Sequence, residues 1–220
     1  MFPLASTSSF IYLIYTLSLM GLLFTSIACI SLWDIKKIIA YSSIGHMNLA
    51  LLALFSNNYY GLYGSIYFMI SHGLISSGLF ILIGILYDRY HTRIIKYYKG
   101  LVIIYPLFTL FFGSFTFANI AFPLTSGYLS ELFSFIGIMT LNPILGIFAT
   151  FAIILTPFYA LWIFHKMFYG SFSSYLIPNL DLTIKEFHQL FPLLFFFLFL
   201  GIYPNILVNG LDILILKYLI

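Results

Sequence analysis

The sequence predicts an all-α integral membrane protein of about six transmembrane helices, the fourth of them broken near Pro123. Three observations carry that expectation. The chain is 62% hydrophobic and 7% charged, with a mean hydropathy of +1.08, which leaves too little polar surface for a soluble domain. Residues 101–141 form an apolar run with one charge, Glu131, about twice the length one helix needs to cross ~30 Å at 1.5 Å per residue. Eight of the nine lysines and arginines fall in alternate connections, on a single side of the membrane if there are six crossings.

The first span is read at 9–32, and no basic region precedes it, so it is expected to remain in the protein rather than act as a leader. The second runs over 38–54 and carries His46; the third, 61–87, carries His72 among small residues. Between them 56–60 is an uncharged turn with interfacial tyrosines, and 88–99 is a basic loop that could bind anionic lipid headgroups, dock a partner or simply orient the chain. Pro123 removes a backbone donor inside 101–141, and the following Leu-Thr-Ser-Gly is where a helix could open. The fourth crossing is therefore expected as two half-helices, 102–120 and 124–141. A fifth span reaches about Phe164, a polar connector covers 171–189, and the sixth span is placed at 190–208. The last twelve residues, with Asp212 and Lys217, could be a short surface helix.

Six crossings put both termini on one side and Lys36, Lys37, Arg89, Arg93, Lys96, Lys99, Lys166 and Lys185 on the other, the cytoplasmic or matrix side by the positive-inside rule. His46 and His72 then lie ~18 to 21 Å along their helices from the turn at Asn58, and Glu131 ~15 Å from Leu141. All three titratable groups fall near mid-membrane on successive spans, a row in the membrane plane.

A buried carboxylate at that depth costs on the order of 3 kcal/mol and marks function by default. Three groups able to take up and pass protons suit a water-linked relay, with Ser42, Ser43, Ser71, Ser76, Ser77 and Thr125 as candidate supports. The plainer alternative makes each histidine a packing residue hydrogen-bonded between helices; a haem held by His46 and His72 is a third. His91, His165 and His188 fall at span ends or in loops. Cys29 is alone, so neither a disulfide frame nor iron–sulfur ligation within the chain is expected. No metal site, nucleotide loop or nucleophilic triad is visible, and a scattered net charge of +3 does not suggest nucleic acid.

Asp34-Ile-Lys-Lys-Ile-Ile-Ala-Tyr-Ser-Ser-Ile-Gly-His-Met-Asn48 and Met69-Ile-Ser-His-Gly-Leu-Ile-Ser-Ser-Gly-Leu-Phe80 resemble the antiporter-like membrane subunits of respiratory complex I. Leu86-Tyr-Asp-Arg-Tyr-His-Thr-Arg93 and Ala118-Asn-Ile-Ala-Phe-Pro-Leu-Thr-Ser-Gly-Tyr-Leu-Ser-Glu131 look like the chain 4 branch of that family, the second motif like its broken helix. The resemblance is strong over 30–170. It implies a proton-translocating module without redox centres, in which His46, His72 and Glu131 belong to a mid-membrane polar axis, with Ser71, Ser76, Pro123 and Thr125 as supporting or hinge positions. NADH, FMN, iron–sulfur clusters and ubiquinone are then expected in partner subunits and no cofactor here.

Members of this family have about fourteen spans in two inverted repeats. By resemblance, 1–170 corresponds to the second repeat and 171–220 to a connector, a final helix and a tail. The expected partners are other membrane-arm subunits, lipids and a separate polypeptide supplying the N-terminal half. The expected location is the mitochondrial inner membrane with both termini on the intermembrane-space side, or a bacterial plasma membrane. Two alternatives remain at this level: a subunit of a multi-subunit cation/proton antiporter or membrane-bound hydrogenase, and a structural scaffold whose axis carries no protons.

Overall fold

The computed structural model describes residues 10–171, 173, 175, 176 and 180–219, with side chains through Asp212; Ser9 and the Lys217 side chain lie outside this set. Its helices are α1 (Phe10–Ser31), α2 (Ile35–Leu54), α3 (Tyr59–Tyr90), α4 (Leu101–Ile104), α5 (Pro106–Asn119), α6 (Ser126–Leu141), α7 (Pro143–Phe168), α8 (Ile184–Ile202) and α9 (Asn205–Leu219). Five of these, α1, α2, α3, α7 and α8, are each long and apolar enough to cross a membrane. At 14 and 16 residues, α5 and α6 are each too short for ~30 Å, and in series they make the broken crossing. The expected six crossings, the fourth broken near Pro123, are the observed architecture.

Local signals explain most boundaries. Asp34 caps α2 by accepting from the Lys36 and Lys37 amides at 3.0 and 3.4 Å. The third helix stops at His91, which is left-handed with φ 51°. Asn142 caps α7, accepting from the Ile144 amide at 3.0 Å, with Pro143 at the first helical position, where no donor is needed. Pro157 interrupts the interior of α7 and cannot bond the Ile153 carbonyl; the Thr156 hydroxyl donates to that oxygen instead, at 2.7 Å.

The last crossing differs from expectation. It starts at Ile184 rather than 190, because Thr183 and Glu186 form a reciprocal capping box that nucleates the helix inside the polar connector. It ends at Ile202 rather than 208, ahead of Pro204, which cannot continue it. The tail is a 15-residue helix, α9, which returns to the start of α3: Leu207, Val208 and Leu211 pack around Tyr63, and the Tyr59 hydroxyl donates to Asp212.

The basic segments meet at one end of the bundle. The Ile35 amide donates to Arg93 O and the Ile95 amide to Trp33 O, both at 3.0 Å, joining the α1–α2 corner to the basic loop. Arg89 pairs with Glu186 at 2.8 Å and donates to the Leu180 and Asp181 carbonyls. The Asp181 carboxylate in turn accepts from the Leu107 and Phe108 amides at 2.8 and 3.2 Å, capping α5 from the distant connector. Three crossings are thereby fastened at the end where the broken one begins.

The tightest packing joins α3 to α6. A Cβ on Gly64 would lie 2.3 Å from the Ser134 amide nitrogen, and one on Gly137 would lie 2.4 Å from Gly61 Cα. Two backbones approach here as only glycine permits. Gly137→Ala is accordingly expected to destabilise the purified chain by ~1–3 kcal/mol through overpacking. Gly84→Ala, where nothing lies within 4 Å, should be neutral or stabilising by up to ~1 kcal/mol. Thermal melts of the two variants check the difference; equal melting temperatures would refute the close approach.

Candidate functional site

The broken crossing opens between Asn119 and Ser126. α5 ends in a reciprocal hydrogen-bonded turn: the Ala121 amide donates to Ala118 O and the Phe122 amide to Phe117 O, both at 3.1 Å. The rings of Phe117 and Phe122 meet at 5.8 Å, the hydrophobic contact that accompanies this motif. The left-handed position is filled by Ala121 (φ 59°) instead of the usual glycine, and Leu124 is also left-handed (φ 75°), each costing ~1–2 kcal/mol. Pro123 sits between them, and the Thr125 hydroxyl closes the turn on Phe122 O at 2.7 Å. Two strained residues around a proline set the direction in which α6 restarts, and hence where Glu131 points.

Glu131 lies on α6, His46 on α2 and His72 on α3, and the three side chains form a contact cluster. His46 Nδ1 is 3.5 Å from Glu131 Oε1, an ion-pair separation rather than a short hydrogen bond. The His46 and His72 ring centroids are 5.4 Å apart, with Phe68 packed against both at 5.6 and 6.4 Å. His46 and Glu131 are 5% and 11% exposed. A lone charge at this burial is costly, whereas a histidine–carboxylate pair can hold one proton on either partner and stay neutral as a unit.

The flanking hydroxyls split into two groups. Ser71 donates to Ser130 at 3.1 Å, and Ser130 to Gly127 O at 2.7 Å; these two stand beside His72 and Glu131. Ser42 lines the cluster too, and its hydroxyl donates to Ile39 O. Ser76 lines none of the cavities described below, Ser43 and Ser77 are turned to their own helices' carbonyls, and Pro123 and Thr125 shape the break without touching the histidines.

Small cavities adjoin the cluster. One of about 30 Å³ lies among Ser42, Thr116, Asn119 and Tyr159; one of about 20 Å³ among Thr25, Ser42, His46, Glu131 and Tyr159; and one of about 10 Å³ among His46, Ser71, His72, Asn119 and Ser130. A water needs ~10–15 Å³ by this measure, so the first two have room for one or two waters each and the third is marginal. That space is also far too small for a haem between the histidines. On its other side Glu131 borders an open cleft of about 330 Å³ lined by Ala121, Tyr128, Phe135 and Thr150. The carboxylate thus stands between small cavities on the histidine side and an opening in the bundle wall.

Three contributors escaped the sequence reading. Asn119 sits against the His46 ring, whose Nε2 has no partner within hydrogen-bond geometry. Tyr159 is buried within reach of Ser42 and Cys29, and Ser130 pairs with Ser71. Asn119 is flagged only as a polar residue ending an apolar half-helix, and Tyr159 resembles the chain's other seventeen tyrosines. Of the remaining histidines, His91 ends α3, His165 stacks on Tyr169, and His188 bonds Ile184 O in the first turns of α8.

Comparison with known proteins follows the same lines. The family model described as NADH:quinone oxidoreductase/Mrp antiporter, transmembrane, matches residues 1–156. NADH-ubiquinone oxidoreductase chain 4 of Chondrus crispus is 44% identical over 210 residues, covering 95% of this chain and 42% of that protein. Chain 4 of Mycosarcoma maydis is 40% identical over 207 residues, covering 94% and 43%. A chain in the structure of respiratory complex I from Thermus thermophilus with bound NADH aligns with TM-score 0.88 at 26% identity, covering 95% and 44%. The chain spans less than half the length of each.

The strain at the break has a direct check. Ala121→Gly should stabilise the purified chain by ~0.5–1 kcal/mol, because glycine enters the left-handed region without steric cost. Ala121→Val should lower the melting temperature. A stabilising valine would contradict the left-handed turn.

Proposed function

The chain belongs to the NADH:quinone oxidoreductase/Mrp antiporter transmembrane family, and we propose that it is the C-terminal half of a chain 4-type membrane-arm subunit of a proton-translocating NADH:ubiquinone oxidoreductase. In this role His72, His46 and Glu131 pass protons along the membrane plane, and the redox centres and their cofactors reside in other subunits. The observation that carries the reading is the His46–Glu131 pair at 3.5 Å, with His72 against it, at the opening of a broken helix.

The proton path follows from the chemistry of these groups. A proton on Glu131 neutralises it; transferred to His46, it leaves a carboxylate next to an imidazolium, so the total charge of the pair is unchanged. His72 and waters in the adjoining cavities extend the row on one side, and the open cleft continues it on the other. Residues 1–170 act as one antiporter-like repeat and 171–220 as the brace that caps α5 and closes on the break.

A partner polypeptide is part of the proposal. Phe122 and Leu124 at the break are 54% and 66% exposed, yet irregular backbone at membrane depth is stable only when protein or a wet cavity covers it. We assign that cover to membrane-arm neighbours, including a chain that supplies the first half of the fold. Sidedness follows the positive-inside rule: the basic end faces the matrix of a mitochondrion, and both termini face the intermembrane space.

Native-gel separation of solubilised membranes tests the assignment. The chain, located by mass spectrometry, should co-migrate with NADH-oxidising activity and with a second polypeptide bearing the missing spans. Migration in a smaller, NADH-inactive assembly would replace this reading with an antiporter or hydrogenase subunit. Within the assembled complex, His72→Gln should reduce protons translocated per NADH oxidised, whereas Ser77→Ala, whose hydroxyl is turned to the Leu74 carbonyl of its own helix, should leave that ratio unchanged. Equal effects of the two would remove His72 from the path.

A further inference from the structure

Away from the buried row, the basic end of the bundle carries a cluster that the proposed function does not use. Lys166 Nζ, in the last turn of α7, lies 4.0 Å from the Trp33 ring centroid and 4.4 Å from that of Trp162. Lys96 Nζ, from the basic loop, lies 4.4 Å from the same Trp33 ring. The two indoles meet edge to face at 6.0 Å, and the positive charges of both Lys96 and Lys99 act on Lys166. Two ammonium groups from distant segments thus meet on one indole, and the charge of Lys99 adds to theirs.

No carboxylate answers them. Among the described residues the ion pairs are His46–Glu131 and Arg89–Glu186. Asp34, next to Trp33, is turned to the start of α2, where it accepts from two amides. Cation–π contacts hold the ammonium groups in place but do not neutralise them. Like charges gathered without a counter-charge, at the polar end of a transmembrane bundle, form an anion site.

The surroundings select the kind of anion. Trp33 and Trp162 remain 41% and 38% exposed, the interfacial placement of membrane tryptophans. Towards the membrane interior, Ile27 and Ile30 of α1, the helix that leads to Trp33, and Phe158 and Leu161 of α7 are exposed at 41–65%. A headgroup anion at the lysines would have its acyl chains alongside this apolar strip. We propose that Lys96, Lys99, Lys166, Trp33 and Trp162 form a binding site for the phosphate of an anionic phospholipid on the positively charged face of the protein.

The chain reports on the site by itself, since Trp33 and Trp162 are its two tryptophans. The full chain is placed in phosphatidylcholine nanodiscs that contain a small fraction of either phosphatidylglycerol or phosphatidylcholine with brominated acyl chains, and tryptophan quenching is measured. The anionic lipid should reach half-quenching at about fivefold lower mole fraction than the zwitterionic one, and high salt should erase most of that preference. Lys96→Gln/Lys166→Gln should bring the two curves together while circular dichroism stays unchanged. Inorganic phosphate at constant ionic strength should not displace the lipid; displacement would reassign the site to free phosphate and overturn the lipid assignment. Equal quenching by both lipids in the wild-type chain, or a preference that survives the double substitution or high salt, would overturn the proposal and leave the cluster to an acidic segment of a protein partner.

Discussion

A carboxylate inside an apolar helix bundle is the constraint on which the rest of the structure depends. Glu131 has no lysine or arginine partner among the described residues, and an uncompensated charge at this depth costs ~3 kcal/mol or more. His46 is the group placed to compensate it, and His46 can do so only if α6 resumes at the correct height and rotation after the break. The left-handed turn at Ala121 and Leu124, the backbone contact of Gly64 with Ser134 and that of Gly61 with Gly137 all serve that placement.

The break in turn needs anchoring at both ends. Its first half is capped by Asp181, from a connector that Arg89 and Glu186 clamp to α3. Its second half is pressed into α3 by glycines, and α8 reaches the opening itself, where Gly201 leaves room for the Leu124 carbonyl. The fold therefore treats an energetically poor element, two half-helices with strained residues between them, as the part to be held most firmly.

Much of this was legible in the sequence, for identifiable reasons. Crossing number and the break follow from length, apolarity and Pro123, which act along the chain. The shared depth of His46, His72 and Glu131 follows from rise per residue. Their direct contact does not, because helix rotation is set by which small residues face one another, and Gly64 and Gly137 announce no partner in the sequence. Small and polar residues point to Leu-Thr-Ser-Gly as the place where the helix opens; Leu124 of that stretch and Ala121 ahead of it adopt left-handed backbone under tertiary constraint. The sequence does not single out Asn119, Ser130 and Tyr159, because polarity shows in a sequence and facing does not. The early start of α8 was readable in Thr183-Ile-Lys-Glu186, but the polar connector around it hid the capping box.

The central claim is that Glu131 carries protons rather than merely packing against His46. Its most direct test is the ratio of protons translocated to NADH oxidised in a fully assembled complex containing Glu131→Gln, which keeps the shape and removes the titratable group. The account predicts intact assembly with a reduced ratio. Assembly and ratio both at wild-type values would contradict it and reduce the His46–Glu131 pair to a structural contact.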